Sequence, residues 1–196
     1  MALTPLAIHD LAEAVLGCVC EALDRTAMEV DDYPGCPTCR VCVVPGQPAW
    51  DGCEDPCSGD EVGGQLSVHV ARIYPSTSFP VEDQQVRDLR ECVPPPVTAV
   101  ELVVTLLRCA PYPSEEGCPP SCEEQAAAAR TLHIDAATVF NALLCCLPYT
   151  GGGRRGRRFV LGQQRTIGPE GGCVGIEQRV TVALPGCAPC PPLEDS

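Results

Sequence analysis

Four cysteines early in the chain have a spacing that is compatible with metal chemistry. Cys36 and Cys39 form a C-x-x-C pair, and Cys53 and Cys57 follow as a second pair. Four thiolates in two pairs are a common way to hold a structural zinc ion. The second pair has three intervening residues instead of two, and Cys42 adds a fifth thiol. We therefore favour a disulfide-stapled loop here and keep zinc as the alternative.

The whole chain holds 16 cysteines in 196 residues. So many cysteines are typical of proteins that work in an oxidising medium. The N-terminal segment is amphipathic and carries acidic residues, unlike a secretory signal, which indicates synthesis in the cytoplasm. A virion reconciles the two observations, because it assembles in a reducing cell and then works outside it. A cytoplasmic zinc protein is the competing explanation.

The sequence offers little to an enzyme. His9, His69 and His133 fall on separate predicted elements, so none has an evident acid–base partner. The chain has no phosphate-binding loop, no dinucleotide-binding glycine motif, no G-x-S-x-G and no H-E-x-x-H. We expect no catalytic site and no cofactor other than the zinc alternative.

An arginine-rich loop is the second candidate site. Arg154, Arg155, Arg157 and Arg158 supply four of the chain's 13 basic residues, all of which are arginine. Such a cluster fits contact with phosphate or with an acidic partner surface. It fits equally a solvated loop that keeps a strand edge from pairing.

Charge and hydropathy limit the function further. The net charge is −13, which disfavours broad binding of nucleic acid and suits a soluble subunit, a basic partner or a channel wall along which DNA slides. No apolar run approaches the roughly 20 residues that span a bilayer. We expect no membrane partner.

Hydrophobic periodicity predicts two helices and two pairs of strands. The first helix should run from an N-cap at Thr4 to about Asp24, and the second from the Ser121–Glu124 capping box to a stop at Pro148. A helical turn near 81–89 is also expected. The predicted strands are 64–74, 97–109, 159–166 and about 174–182, with a short further strand over 41–44 and a turn over 167–172.

These elements predict an α+β fold in the order α-β-β-α-β-β. We expect a mostly antiparallel sheet of about four strands with two helices on one face. The Cys-rich stretch, about 31–63, is an insertion in a single domain over 1–184, and 185–196 is a Pro-rich acidic tail.

Two segments resemble the neck proteins of long-tailed actinobacterial phages: 157–164 (RRFVLGQQ) and 171–182 (GGCVGIEQRVTV). Within that group the element order resembles the tail terminator. The resemblance implies a homo-oligomeric, hexameric ring in the virion, assembled in the host cytoplasm. The ring would cap the tail tube, contact the major tail tube protein and a head-completion (stopper) protein, and let DNA pass without sequence-specific binding.

Two alternatives remain at this stage. One is another neck component, a stopper or an adaptor, although adaptors are mainly helical and stoppers are mainly small barrels. The other is a zinc-binding interaction module that uses Cys36, Cys39, Cys53 and Cys57.

Overall fold

The computed structural model describes residues 3–48, 62–84, 96–111, 113, 117–147, 157–170 and 172–186. These residues form two helices and five strands. In chain order they are α1 (Ala7–Glu29), β1 (Val41–Val43), β2 (Gln65–Ser76), β3 (Val97–Cys109), α2 (Cys122–Cys146), β4 (Phe159–Glu170) and β5 (Cys173–Pro185).

The strands form one mixed sheet in the order β1-β2-β3-β5-β4. β1 pairs parallel with β2, and the other neighbours are antiparallel. The predicted α+β fold is confirmed, with five strands where about four were expected, because the short stretch at Val41 joins the edge of the sheet.

Both helices cover the same face of the sheet, as predicted. The core lies between them and the even-numbered positions of β2 and β3, where Leu66, Val68, Leu102 and Leu106 are almost fully buried. β3 is buried along nearly its whole length, which explains why its sequence is apolar on both faces. α1 packs over the β1–β2 side, and α2 packs over β5.

The N-terminal helix differs from its prediction at both ends. Leu6, not Thr4, occupies the N-cap position, and its side chain makes no capping bond. The helix continues to Glu29 instead of stopping near Asp24. No proline or glycine lies between Asp24 and Glu29, so nothing in the sequence ends the helix there.

The second helix begins as predicted. The Ser121 side chain accepts from the backbone N–H of Glu124, and the Glu124 carboxylate accepts from the Ser121 N–H, which is a complete capping box. Leu147 is the C-cap residue, and Pro148 lies outside the described residues. Phe140, a large apolar residue of this helix, is 40% exposed.

Two predicted connections also differ. Residues 81–84 are not helical, and the rest of the expected turn, 85–89, lies outside the described residues. The predicted turn at 167–172 is mostly strand, since β4 continues to Glu170 through a second irregularity between Ile167 and Glu170.

Candidate assembly surfaces

Among the described strands, β4 has the longest edge without a strand partner. β4 pairs with β5 on one side, and no strand among the described residues pairs with its other side. Most of its 12 residues are exposed or half-buried, and Val160 is 42% exposed. Irregularities at Leu161/Gln164 and Ile167/Glu170 interrupt its ladder with β5. Unpaired edges of this kind are where sheet proteins meet partners.

α2 flanks this edge on the helical face of the sheet. Gln164 of β4 donates a hydrogen bond from Nε2 to the Ala136 carbonyl of α2 at 3.0 Å, which fixes the helix beside the strand. One and two turns further along the helix, Phe140 and Leu144 are 40% and 43% exposed. Exposed large apolar side chains that are grouped together mark an interaction surface more often than scattered ones do.

A largely apolar groove of about 540 Å³ extends the same edge. It lies between the first half of α2, the residues after β3 and the β4–β5 connection. Its walls include Leu132, Ala129, Pro111, Pro169 and Val174. Val160 stands opposite Thr181, on the sheet face away from the helices, whereas Phe140, Leu144 and the groove lie on the helical side. We call this whole β4 side of the domain the β4 edge.

The arginine-rich loop leads into the β4 edge. Arg154 and Arg155 lie outside the described residues, whereas Arg157 and Arg158 directly precede β4. The Arg158 guanidinium lies 5.7 Å from the centre of the Phe79 ring, which belongs to the connection after β2. Such a cation–π contact orients the charge at the start of the strand. The described half of the loop is thus placed at the edge strand.

The sheet face opposite the helices carries a ladder of alternating charges. Arg72 on β2 bonds Glu101 on β3 at 2.7 Å, and Glu101 in turn accepts from Arg179 on β5 at 2.8 Å. Arg179 also reaches Glu177 at 3.1 Å, and Glu177 accepts from Arg165 on β4 at 2.9 Å. The two carboxylates are nearly buried, and the three guanidiniums are about half exposed.

Each ladder carboxylate is bonded to two arginines. Burial alone would raise the pKa of Glu101, but the hydrogen bonds from Arg72 and Arg179 outweigh it, so the pKa is lowered. With Glu82, which bonds Arg72 at 3.3 Å, three carboxylates stand against three guanidiniums. The ladder therefore gives a nearly neutral face to a strongly acidic chain.

A second ionic cluster lies inside the fold, at the end of β3. Arg108 bonds both carboxylate oxygens of Asp135 on α2 and also donates to the Gly35 carbonyl at 2.7 Å. The Tyr33 hydroxyl donates to the same carboxylate. Burial, and then the nearby charge of Asp135, raise the pKa of Tyr33, so the phenol stays protonated. The cluster anchors the start of the Cys-rich insertion against the sheet and α2.

Disulfides hold the same region. Cys18 is bonded to Cys146, which joins α1 to the end of α2, and Cys20 is bonded to Cys36. Cys39 is also disulfide-bonded. In this oxidised state Cys36 and Cys39 are not thiolate ligands, while Cys53 and Cys57 lie outside the described residues. The described ranges bring no group of three or more His, Cys, Asp or Glu side chains together as a metal site.

The three histidines lie on three different elements. His9 faces Glu13 one turn along the exposed side of α1, at 3.8 Å, and His133 is exposed on α2. His69 lies on β2, where burial lowers its pKa. No two of these imidazoles belong to one element, as the sequence indicated.

Neither helix of the described chain is both long and apolar enough to cross a bilayer.

Comparison with known proteins yields a weak structural likeness. No protein-family model and no curated protein matches the chain. Among solved structures, the chain is similar to the sheath/tube terminator of an extracellular contractile injection system (PVC) in the extended state, determined by cryo-EM. The identity is 12% and the TM-score 0.36, and the match covers all of this chain but 64% of the other. Likeness at this level assigns no function to the chain.

Proposed function

We propose that this chain is a structural subunit of a virion neck, a tail terminator that forms a ring on the end of a tail tube. The observation that carries the proposal is the β4 edge. An isolated monomer gains nothing from an unpaired strand flanked by an apolar groove and by exposed Phe140 and Leu144. A ring subunit needs such a surface for its neighbour.

The fold and the sequence support this assignment over other neck components. The open five-stranded sheet, with both helices on one face, is neither mainly helical like an adaptor nor a closed small barrel like a stopper. The resemblance to neck proteins of long-tailed actinobacterial phages lies in the segments 157–164 and 171–182. The first segment overlaps β4, and the second overlaps β5. The resemblance therefore falls on the edge that the ring would use.

The partners follow from this proposal. Copies of the chain would form a hexameric ring in the virion after synthesis in the host cytoplasm. One surface of the ring would contact the major tail tube protein, and the other a head-completion (stopper) protein. DNA would pass through the lumen without sequence-specific binding, which suits a chain with a net charge of −13. The role is structural, without catalysis or a resident cofactor.

Negative-stain imaging of purified protein mixed with polymerised tail tubes tests the proposal. We expect rings at one end of the tubes and an arrest of tube elongation. A variant with Phe140→Asp and Val160→Asp should leave the tube ends bare, whereas Val81→Asp, at another exposed apolar residue, should cap them normally. Uncapped tubes with wild-type protein in excess would contradict the proposal.

A further inference from the structure

We propose that the β4 edge of one copy docks on the α1 side of the next copy, so that each subunit uses two different surfaces. This inference rests on the proposed function, because it names the contact that would close the ring. The occupant of the β4 edge is thus a second copy of this chain.

Charge is distributed unequally between the two sides of the domain. Residues 7–32, which comprise α1 and its C-terminal extension, hold seven acidic residues and one arginine, a net charge of −6. All seven acidic side chains are exposed; they are Asp10, Glu13, Glu21, Asp24, Glu29, Asp31 and Asp32. α1 packs over β1 and β2, at the far end of the strand order from β4.

The β4 edge has the opposite sign. Arg157, Arg158 and Arg165 stand along it against Glu170, a net charge of +2 in a chain that is otherwise acidic. Part of this charge is already committed, because Arg165 bonds Glu177 at 2.9 Å and Arg157 has an interaction of its own. Arg158 contacts an aromatic ring and no carboxylate is bonded to it in the described residues, so its charge is available to an acidic surface.

Apolar contacts are available on both surfaces. Phe140, Leu144 and Val160 are 40–43% exposed at the β4 edge. Leu6 and Met28, at the two ends of α1, are 64% and 81% exposed. Apolar side chains surrounded by charges of complementary sign are the usual composition of a specific interface.

Charge also decides between the two symmetries that are open to the edge. A two-fold contact would place two basic β4 edges against each other, and like charges in contact disfavour association. A head-to-tail contact pairs unlike charges and leaves one free surface of each kind. Because the two surfaces lie at opposite edges of the sheet, the contact can repeat from copy to copy, and it gives a ring when the rotation between neighbours closes.

The test combines two variants that each lack one surface. The edge variant carries Phe140→Asp and Val160→Asp, and the α1 variant carries Glu21→Arg and Glu29→Arg. Val81→Asp and Glu123→Arg are matched controls at exposed residues elsewhere. Circular dichroism and the unfolding midpoint of each purified full-length variant verify the fold, and sedimentation velocity measures its assembly.

We expect wild type and the controls to form rings, and each variant alone to be monomeric. Mixed in equal amounts, the two variants should form a dimer and nothing larger, since one intact contact remains between them. Raising the ionic strength from about 0.05 M to about 0.5 M should weaken wild-type association roughly tenfold.

Three outcomes would overturn the inference. The α1 variant could still dimerise, which would indicate a two-fold edge contact. The edge variant could assemble like wild type, or the wild-type protein could stay monomeric. A fourth is an edge variant that self-associates normally but loses affinity for duplex DNA, which would assign the edge to nucleic acid. If these variants still cap tail tubes, the proposed function survives and this contact does not. If the mixed dimer forms but tubes are never capped, the contact survives and the proposed function does not.

Discussion

Arg108 at the end of β3 and Asp135 on α2 form a buried, bidentate ion pair. Arg108 Nε donates to one carboxylate oxygen at 3.0 Å and Nη2 to the other at 2.7 Å. Asp135 is fully buried, and Arg108 is 6% exposed. Burial would lower the pKa of Arg108, but the bonds to Asp135 outweigh it and raise the pKa. Arg108 therefore remains charged inside the fold, and the pair joins the sheet, α2 and the Cys-rich insertion.

Removing one partner of this pair should destabilise the protein strongly. We expect Asp135→Ala to lower the free energy of unfolding by about 3–5 kcal/mol, because the Arg108 charge would stay buried without a counter-ion. Urea denaturation followed by circular dichroism measures the change. The double variant Arg108→Met, Asp135→Leu should recover much of the loss. A loss below about 1 kcal/mol for Asp135→Ala would show that water reaches Arg108.

The Cys20–Cys36 disulfide should contribute measurable stability. Replacing both cysteines with serine should lower the free energy of unfolding by about 3 kcal/mol, since the unfolded chain regains the freedom of a closed loop. Cys42→Ser, at an exposed thiol, is the matched control and should change little. Equal stability of the double variant and wild type under oxidising conditions would contradict the structural role of this bond.

Metal analysis of the same samples addresses the zinc alternative. We expect alkylation and intact-mass measurements on wild type to show that Cys36 and Cys39 are protected until a reductant is added. The zinc module would be favoured if a chelator alone, without a reductant, made Cys36 and Cys39 open to alkylation and if each chain bound one zinc ion.

The charge ladder predicts a specific pH dependence. The pKa of Glu101 in the folded state is lowered from its ordinary value of 4.5. Its contribution to stability is therefore present above about pH 4.5 and is lost as the pH falls through the lower, folded value. Glu101→Gln should be less stable than wild type at pH 7, and the gap between the two should narrow in acid. A gap that stays constant between pH 7 and pH 3 would assign the effect to packing instead of charge.

Gly64 occupies a position that only glycine fits. Its φ is +100°, and a Cβ there would lie 2.2 Å from the Leu107 carbonyl oxygen on the neighbouring strand. Gly64→Ala should lower the free energy of unfolding by about 1–3 kcal/mol. Gly17→Ala is the control, since its added methyl meets nothing within 4 Å and should stabilise α1 by up to about 1 kcal/mol. Equal effects of the two substitutions in thermal unfolding would refute the steric argument.

Local patterns in the sequence predicted most of the fold. The strands predicted at 64–74 and 97–109 and the Ser121–Glu124 box each depend on neighbours within a few residues, and each is confirmed. The start of α1 was misplaced because Thr4-Pro5 has the composition of a helix start, yet the N-cap is Leu6 and the helix begins two residues later than predicted, at Ala7. Short-range signals locate an element well and its ends less well.

The long-range groupings could not be predicted in the same way. Glu177 and Arg179 alternate with apolar residues of β5, which is a local pattern, but their partners on β3 and β4 depend on strand register. Asp135 was missed although a signal existed: it precedes Val139 by one helical turn and Leu143 by two, so it stands on the buried face. The disulfide pairing likewise depends on how α1 meets α2 in space.

The oligomeric state of the full-length protein tests the central claim most directly. Single-particle cryo-EM of the purified chain at low ionic strength should show closed rings, with the β4 edge of each subunit against α1 of its neighbour. Monomers, or two-fold dimers joined edge to edge, would contradict the claim that this chain is a ring subunit.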